Sequence, residues 1–208
     1  MVNFHIEKII LNINKFLHKK SMKPILSILI PSLHDRYNYL TSILNQISSQ
    51  PGHLLNQCEI QVNIDGRYKT TGEKRNQLLS ASIADYIVFI DDDDSISPNY
   101  LEQIFIGISK NVDAIAITSL YSPDDIETCG SPRIVKHSKD YVWAETPEAY
   151  LRNITHICPV KRDLALQVGF PPTTFGEDIS YSSRLTTLVK EEYLIEDVIY
   201  THQYRSKK

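Results

Sequence analysis

Four consecutive aspartates, Asp91 to Asp94, follow directly after the apolar run at 86–90 (YIVFI). A buried strand there would bring several carboxylates to its own C-terminal end, where ligands bind in open α/β sheets. So much negative charge is unfavourable unless a cation neutralises it, and hard carboxylate oxygens suit Mg²⁺ or Mn²⁺. The alternatives are a solvated turn with surplus charge or a calcium loop. A calcium loop is disfavoured, because the spaced Asp/Asn/Gly ladder ending in glutamate is absent.

Other charged residues could complete a site of this kind. Lys74 and Arg75 lie shortly before the strand. The sequence contains neither G-x-G-x-x-G nor the P-loop pattern, so the common glycine-loop routes to phosphate binding are excluded. A bound nucleotide would then need a metal and basic side chains to neutralise its charge. Lys74 and Arg75 could instead belong to a solvated helix face.

Alternating strand and helix patterns predict an α/β fold with a mostly parallel sheet and helices on both faces. The patterns predict strands at 25–30 (ended by Pro31), 58–64, 86–90, 112–121 and 193–200. They predict helices at 35–49 (with capping-box-like spacing of Ser32 and Asp35), at 73–82, from a Ser97 cap to about residue 108, and near 147–153, 161–168 and 177–188. Residues 122–146 are expected to form a loop or small hairpin over the sheet.

Length, charge and cysteine content limit the function classes. The 208 residues fit one domain, 42% of them are apolar, and the formal net charge of −3 provides no general attraction for nucleic acid. The three cysteines form no C-x-x-C pair, which favours reduced thiols in a cytosolic protein. Residues 1–21 have apolar positions at helical spacing, which predicts an amphipathic helix that packs on the domain, lies on a membrane surface or binds a partner helix. We therefore expect a cytoplasmic protein, with peripheral attachment at the inner face of the membrane as the alternative.

Several segments together resemble a family 2 glycosyltransferase of the GT-A fold. Residues 27–32 (SILIPS) resemble the opening strand and proline of that family, and residues 74–94 resemble its central block, which ends in the Asp-x-Asp motif. Segments within 159–171 precede residues 176–178 (GED) at the spacing of the family's Glu-Asp motif. The resemblance covers roughly residues 24–204. It implies a single GT-A domain over residues 22–208, with a nucleotide-binding part at about 24–110 and an acceptor part at about 111–208.

The resemblance also implies a metal, Mn²⁺ or Mg²⁺. Asp93 aligns with the aspartate that binds the metal directly, while Asp91 or Asp92 would contact the ribose or a metal-bound water. The register of Asp-x-Asp within the run is open by one residue, so Asp91 is a second candidate ligand. His202 lies where many members have a histidine that completes the metal or diphosphate site. A surface histidine at a strand end is the alternative for His202.

The donor is expected to be a nucleotide sugar, most often a UDP-sugar in this family. Asp65 resembles the acid that binds the base or ribose, although a plain Asp-Gly turn is the alternative. The loop at 67–72 is basic where the family has a more extended acidic pattern, which leaves the contacts to the base open. The donor-binding residues implied by the resemblance are Pro31, Ser32, Asp65, Lys74, Arg75, Asp91 and Asp92.

The Glu-Asp motif implies the catalytic step. Asp178 would act as the general base that takes the proton of the acceptor hydroxyl as it attacks the anomeric carbon. Attack opposite the leaving group inverts the anomeric centre, as it does in the family. Glu177 would orient the site or cap the following helix. The alternative for Glu177 and Asp178 is a pair of acids favoured at a helix start by the helix dipole.

The acceptor is the least determined part. A growing surface glycan is the first expectation, and residues 122–160, with Trp143, Tyr141 and Tyr150, are the region for acceptor specificity. Phage-type enzymes that glycosylate hydroxymethylated DNA bases are the alternative, and an inactive glycan-binding module is another. A nucleotidyltransferase is disfavoured, because no glycine-rich loop follows the first strand. The oligomeric state is left open.

Overall fold

A mixed sheet organises residues 23–205, the part of the chain that the computed structural model describes. The strands are β1 (Leu26–Leu33), β2 (Cys58–Asp65), β3 (Tyr86–Phe89), β4 (Ser95–Ile96), β5 (Ala114–Pro123), β6 (Arg133–His137), β7 (Ala144–Glu145), β8 (Ala149–Arg152), β9 (Val160–Lys161) and β10 (Glu192–Tyr204). The helices are α1 (Tyr37–Ser48), α2 (Gly52–Leu55), α3 (Thr71–Ala81), α4 (Tyr100–Ile108), α5 (Ile126–Cys129), α6 (Arg162–Val168) and α7 (Glu177–Thr186), and a 3₁₀ turn spans His34–Arg36.

The long strand pairings are parallel, which confirms the predicted fold class. The order along the sheet is β2-β1-β3-β9-β5-β6-β8-β7, and β10 pairs with β5 and β4. Strand β1 runs parallel to β2 and β3, and β5 runs parallel to β10. The short strand β9 joins the two halves, because Val160 pairs antiparallel with Ile87 on one side and Ala114 on the other. Because β1 and β3 are parallel neighbours, their carboxyl ends lie at the same edge of the sheet.

Strand β1 runs past Pro31, where the sequence predicts its end. It continues to Leu33, with Pro31 opposite Asn63 of β2. The carbonyl of Leu29 accepts a hydrogen bond from Ile90 N–H on the β3 side, and residues two apart in a strand orient their backbone groups alike. The missing N–H of Pro31 therefore faces β3, whose pairing with β1 ends at Leu29. The proline removes no hydrogen bond of the sheet and is tolerated within the strand.

Two predicted helix positions are wrong. Residues 147–153 were expected to be helical, but 149–152 form β8, which pairs parallel with β6. Hydrogen bonding to the edge of β6 outweighs the helical preference of these residues, because strand formation depends on tertiary context. Helix α4 begins at Tyr100 and not after Ser97, and the Ser97 hydroxyl donates to the Asn99 side chain at 2.6 Å and caps no backbone N–H.

The remaining predicted strands and helices are confirmed to within a few residues, and β10 extends to Tyr204. Residues 122–146 were expected to form a loop or small hairpin over the sheet, but β6 pairs antiparallel with β5 and extends the sheet itself. Within residues 23–205, no helix has the length and apolar character needed to cross a membrane. The amphipathic helix predicted for residues 1–21 lies outside the described residues.

Helix α3 begins with a capping box that fixes its first turn. Thr70 Oγ accepts a hydrogen bond from Glu73 N–H at 3.2 Å, and the Glu73 carboxylate accepts one from Thr70 N–H at 2.8 Å. Two donors that the helix start leaves without intrahelical partners are thereby satisfied. This turn carries Lys74 and Arg75, both buried, towards the edge where β1 and β3 end.

Gly72 lies where helix α3 meets the loop before α7. A Cβ at this position would lie 1.9 Å from the carbonyl oxygen of Pro171. We expect Gly72→Ala to lower the free energy of unfolding by about 1–3 kcal/mol in chemical denaturation, because the loop must shift. Gly52→Ala is the matched control, since its added Cβ would meet no atom within 4 Å. Equal losses in the two variants would contradict this close approach.

Candidate active site

A cavity of about 630 Å³ opens at the edge where β1 and β3 end. This volume is in the range of sites for small molecules and cofactors. All the residues predicted for the site line the cavity except Asp65: Pro31, Ser32, Lys74, Arg75, Asp91, Asp92, Asp93, Glu177, Asp178 and His202. The fold thus brings together two acidic groups that are far apart in the sequence, the aspartate run and the Glu-Asp pair.

Asp65 lies behind the cavity wall and positions Lys74. The Lys74 ammonium donates to Asp65 Oδ1 at 3.1 Å and to the carbonyl oxygen of Ser32 at 2.9 Å. The second carboxylate oxygen of Asp65 accepts a hydrogen bond from Lys69 N–H at 2.8 Å. Burial alone would raise the pKa of Asp65, but Lys69 N–H and the Lys74 charge hold it below its usual value. Asp65 therefore stays ionised and fixes the Lys74 charge beside the end of β1.

Arg75 joins the two acidic groups of the site. Its guanidinium donates to Asp91 Oδ1 at 2.9 Å and to Glu177 Oε1 at 2.7 Å, and its side chain is only 3% exposed. It also lies over the rings of Phe89 and Phe170, with its Cζ at 5.9 Å and 5.5 Å from their centroids. Burial raises the pKa of Glu177, and the Arg75 charge offsets this only in part.

Asp91 is neutralised from two sides. Besides Arg75, the imidazole Nε2 of His156 lies 3.3 Å from Asp91 Oδ2. Burial would raise the pKa of Asp91, but Arg75 and His156 hold it well below its usual value. The other ring nitrogen, Nδ1 of His156, is buried beside the cavity and has no hydrogen-bond partner among the described residues. His156 was not predicted as a site residue. It lies between β8 and β9, and no local sequence pattern there indicates a role in the site.

The next two aspartates carry negative charge that is incompletely compensated. Ser32 Oγ donates to Asp92 at 2.6 Å, and the Arg36 guanidinium contacts both Asp92, at 3.0 Å, and Asp93. Burial nevertheless raises the pKa of Asp92 to about 6, and it also raises that of Asp93. Ser32 was expected to help cap the helix after β1, but no side-chain cap bond forms there and its hydroxyl serves Asp92. Arg36 was missed, although its position directly after a strand end is a signal for a ligand site.

Asp94 and His202 form a separate pair at the end of β10. Buried Asp94 accepts hydrogen bonds from Tyr200 OH at 2.5 Å and from Gln203 N–H at 2.9 Å. His202 Nδ1 lies 3.3 Å from Asp94 Oδ1, and the Asp94 charge helps to raise the pKa of His202 against the effect of its burial. His202 lines the cavity, but its described partner is Asp94, which makes it a weaker ligand candidate than Asp93.

The carboxylates suit a hard divalent cation in their chemistry. Among residues 23–205, no three histidine, cysteine or acidic side chains are grouped closely enough to hold a metal by themselves. Mg²⁺ needs no such cage, because it keeps several waters and commonly binds one or two carboxylates together with substrate phosphates. Asp92 and Asp93, whose pKa values burial raises despite the nearby Arg36 charge, fit that mode of binding.

Asp178 is an acidic residue of the cavity wall that remains available for chemistry. Helix α7 starts after Gly176, whose φ of 76° is one that glycine adopts readily. Asp178 is half-buried and lines the cavity, and its described hydrogen bond is from Ile179 N–H at 2.9 Å. Glu177 is held by Arg75, whereas Asp178 forms no ion pair within residues 23–205. A carboxylate placed in this way can accept a proton from a bound hydroxyl.

Aromatic and basic side chains line the end of the cavity formed by the segment at 143–152. Trp143 and Tyr150 line this end of the cavity, but Tyr141 does not. The guanidinium of Arg152, which the sequence analysis missed, lies 4.5 Å from the Trp143 ring and 5.0 Å from the Tyr150 ring. Trp143 is 47% exposed, so it offers an apolar surface to a bound molecule.

The fold is the GT-A fold of glycosyltransferases. It is similar to S. aureus TarS 1-349, solved with UDP-GlcNAc, with a TM-score of 0.62 over 88% of this chain and 60% of that one, at 14% identity. It is also similar to the mannosyltransferase PcManGT from Pyrobaculum calidifontis, solved with GDP-Man and Mn²⁺, with a TM-score of 0.59 over 93% of this chain and 63% of that one, at 13% identity. The chain therefore spans less than two thirds of either solved protein.

Residues 64–165 match the model of Glycosyl transferase family 2. This segment is just under half of the chain; it contains the Lys-Arg-Asn block and the aspartate run but ends before Glu177 and Asp178. None of the curated proteins matches the sequence significantly. The family model and the fold together support an enzyme of the transferase class.

Proposed function

We propose that this protein transfers a sugar from a nucleotide-sugar donor to a hydroxyl group of an acceptor. The observation that carries the proposal is that both the aspartate run and Asp178 line the same cavity. The solved structures of similar fold are complexes with UDP-GlcNAc and GDP-Man, which supports a nucleotide sugar as the donor class. A UDP-sugar is our first choice of donor.

On the donor side, we propose Asp93, with Asp92 beside it, as the residues that would hold Mn²⁺ or Mg²⁺. Asp91 is a weaker candidate because Arg75 and His156 already neutralise it. When bound, such a cation would stabilise the negative charge of the departing nucleoside diphosphate. PcManGT, with a similar fold, was solved with Mn²⁺, which supports this choice of metal.

On the acceptor side, Asp178 accepts the proton of the attacking hydroxyl. The acceptor oxygen forms a bond to the anomeric carbon while the bond from that carbon to the phosphate oxygen breaks. The electron pair of the broken bond leaves with the nucleoside diphosphate, and attack from the opposite face inverts the anomeric centre. We propose a glycan acceptor, which is supported by the half-exposed Trp143 ring at the cavity wall.

The metal role is tested by Asp93→Ala. We expect calorimetric titration with UDP or GDP in the presence of Mn²⁺ to show an affinity at least about tenfold below wild type, since even indirect supports of a metal site act on this scale. Without Mn²⁺, the Asp93 variant should bind the nucleotide no more weakly than wild type. Asp197→Ala removes an exposed aspartate of β10 and is the control. Unchanged affinity of the Asp93 variant with Mn²⁺ would refute the role of Asp93.

A further inference from the structure

Arg36 lies across the two carboxylates that we propose for the metal. Its guanidinium is 3.0 Å from Asp92 Oδ1 and also contacts Asp93 Oδ2. The Arg36 side chain is 31% exposed, whereas that of Asp92 is 2% exposed. The carboxylates are thus part of the cavity wall, and the arginine reaches them from a short turn at its rim. A cation that bound both aspartates would compete with Arg36 for the same oxygens.

The buried cations near Asp92 and Asp93 form their ion pairs with different carboxylates. Lys74 is buried against Asp65, and Arg75 is buried between Asp91 and Glu177. Neither side chain can leave without stranding a buried carboxylate, which is strongly unfavourable. Among the described basic residues that line the cavity, Arg36 alone forms its ion pairs with the proposed metal ligands.

A second arginine, Arg205, adds positive charge at the same rim of the cavity. Arg205 lies 4.0 Å from Asp93 Oδ2, and its Cζ lies 4.3 Å from the centroid of the Tyr39 ring. Arg36 lies over the same ring, with its Cζ at 5.5 Å. Both guanidinium groups lie against Asp93 and the Tyr39 ring, so the Asp93 charge helps to neutralise both. Once another cation takes up the aspartate charge, both arginines lose this neutralisation and can pair with another anion.

We propose that Arg36 takes the place of the cation in the ligand-free protein and pairs with the diphosphate of the donor when the cation binds. This inference rests on the proposed function and adds a donor-binding residue to it. Arginine is suited to the second role, because its planar guanidinium binds phosphate oxygens in a bidentate manner. This exchange of Arg36 for the metal cation keeps the aspartates neutralised before the donor binds. After the donor binds, it supplies a positive charge to the phosphates.

The test is Arg36→Gln, and it predicts two effects of opposite sign. Removing a positive charge from the aspartates should tighten binding of Mn²⁺ alone by about tenfold, since unit charges a few ångströms apart interact strongly near a protein surface. Affinity for UDP or GDP at saturating Mn²⁺ should fall by about tenfold, because a charge-assisted pair with phosphate is lost. Electron paramagnetic resonance of free Mn²⁺ measures the first effect, and calorimetry measures the second.

Arg67→Gln is the matched control. Arg67 is exposed and pairs with Asp35 at 2.7 Å, so the variant removes the same charge close by without touching the aspartate run. We expect it to change neither affinity by more than about twofold, because exposed pairs contribute little. If Arg67→Gln reproduced both effects of Arg36→Gln, the effects would come from the change in net charge and the proposal would be wrong.

The remaining outcomes separate this inference from the proposed function. Unchanged Mn²⁺ affinity in Arg36→Gln would overturn the exchange while leaving the metal site intact. Tighter Mn²⁺ binding without weaker nucleotide binding would overturn the diphosphate role. A wild-type protein that binds no Mn²⁺, even with UDP or GDP present, would instead refute the metal dependence of the proposed function.

Discussion

Asp178→Asn should lower the rate of sugar transfer by about 10²–10⁴-fold while leaving donor affinity unchanged. An amide has the shape of the carboxylate but cannot take up the proton of the attacking hydroxyl. Its oxygen can still accept the hydrogen bond from Ile179 N–H, so the start of α7 should be preserved. Release of UDP or GDP from the nucleotide sugar measures the rate, and calorimetry measures the affinity.

Asp163→Asn is the control for this variant. Asp163 also lies in the first turn of a helix, α6, but it is exposed and does not line the cavity. Any effect of an aspartate on the helix dipole is therefore common to both variants. Wild-type turnover in Asp178→Asn would remove Asp178 as the base. A loss of donor affinity equal to the loss of rate would point to a binding role in its place.

Arg75→Met should lower the free energy of unfolding by about 3–5 kcal/mol, because it leaves buried carboxylates unpaired. Arg75 bridges Asp91 and Glu177, and Glu177 is 5% exposed. The deficit relative to wild type should shrink as the pH falls from 7 towards 4. The pKa of unpaired Glu177 would lie further above its unfolded value, so protonation removes the unfavourable charge and restores stability on the acid side. Urea denaturation at both pH values measures this.

The double variant Arg75→Met/Glu177→Leu tests the same explanation without a change of pH. Removing the unpaired carboxylate should recover part of the lost stability, leaving the cost at Asp91. Arg67→Met, which breaks the exposed pair with Asp35, should cost less than about 1 kcal/mol. If Arg75→Met cost no more than Arg67→Met, or if its deficit did not depend on pH, the buried bridge would not stabilise the fold as described.

The sequence predicts those parts of the site that follow from strand ends. The apolar run before Asp91 marks a buried strand, and the carboxyl edge of a parallel sheet is where its aspartates must lie. Lys74 and Arg75 were predicted through the resemblance, and the capping box at Thr70 and Glu73 explains why their helix begins where it does. Patterns of this kind depend on contacts between residues a few positions apart, so they can be predicted directly from the sequence.

Partners that meet only through the tertiary fold could not be predicted in this way. Ser32 has the spacing of a helix cap, yet its hydroxyl donates to Asp92, far along the chain. His156 contacts Asp91 only because β8 and β9 bring it to the cavity. Strand β8 itself forms against β6, and its sequence favoured a helix. In each case a distant pairing outweighed the local preference.

Thermal melting with UDP, GDP, dTDP and CDP, each with and without Mn²⁺, tests the central claim most directly. A ligand at about 100 times its dissociation constant adds roughly 2.7 kcal/mol to the stability of the folded protein. For a domain of this size we expect the melting temperature to rise by about 5–10 °C with one of these nucleotides, and only when Mn²⁺ is present. No shift with any nucleotide, with or without the metal, would contradict a nucleotide–metal site at the aspartate run.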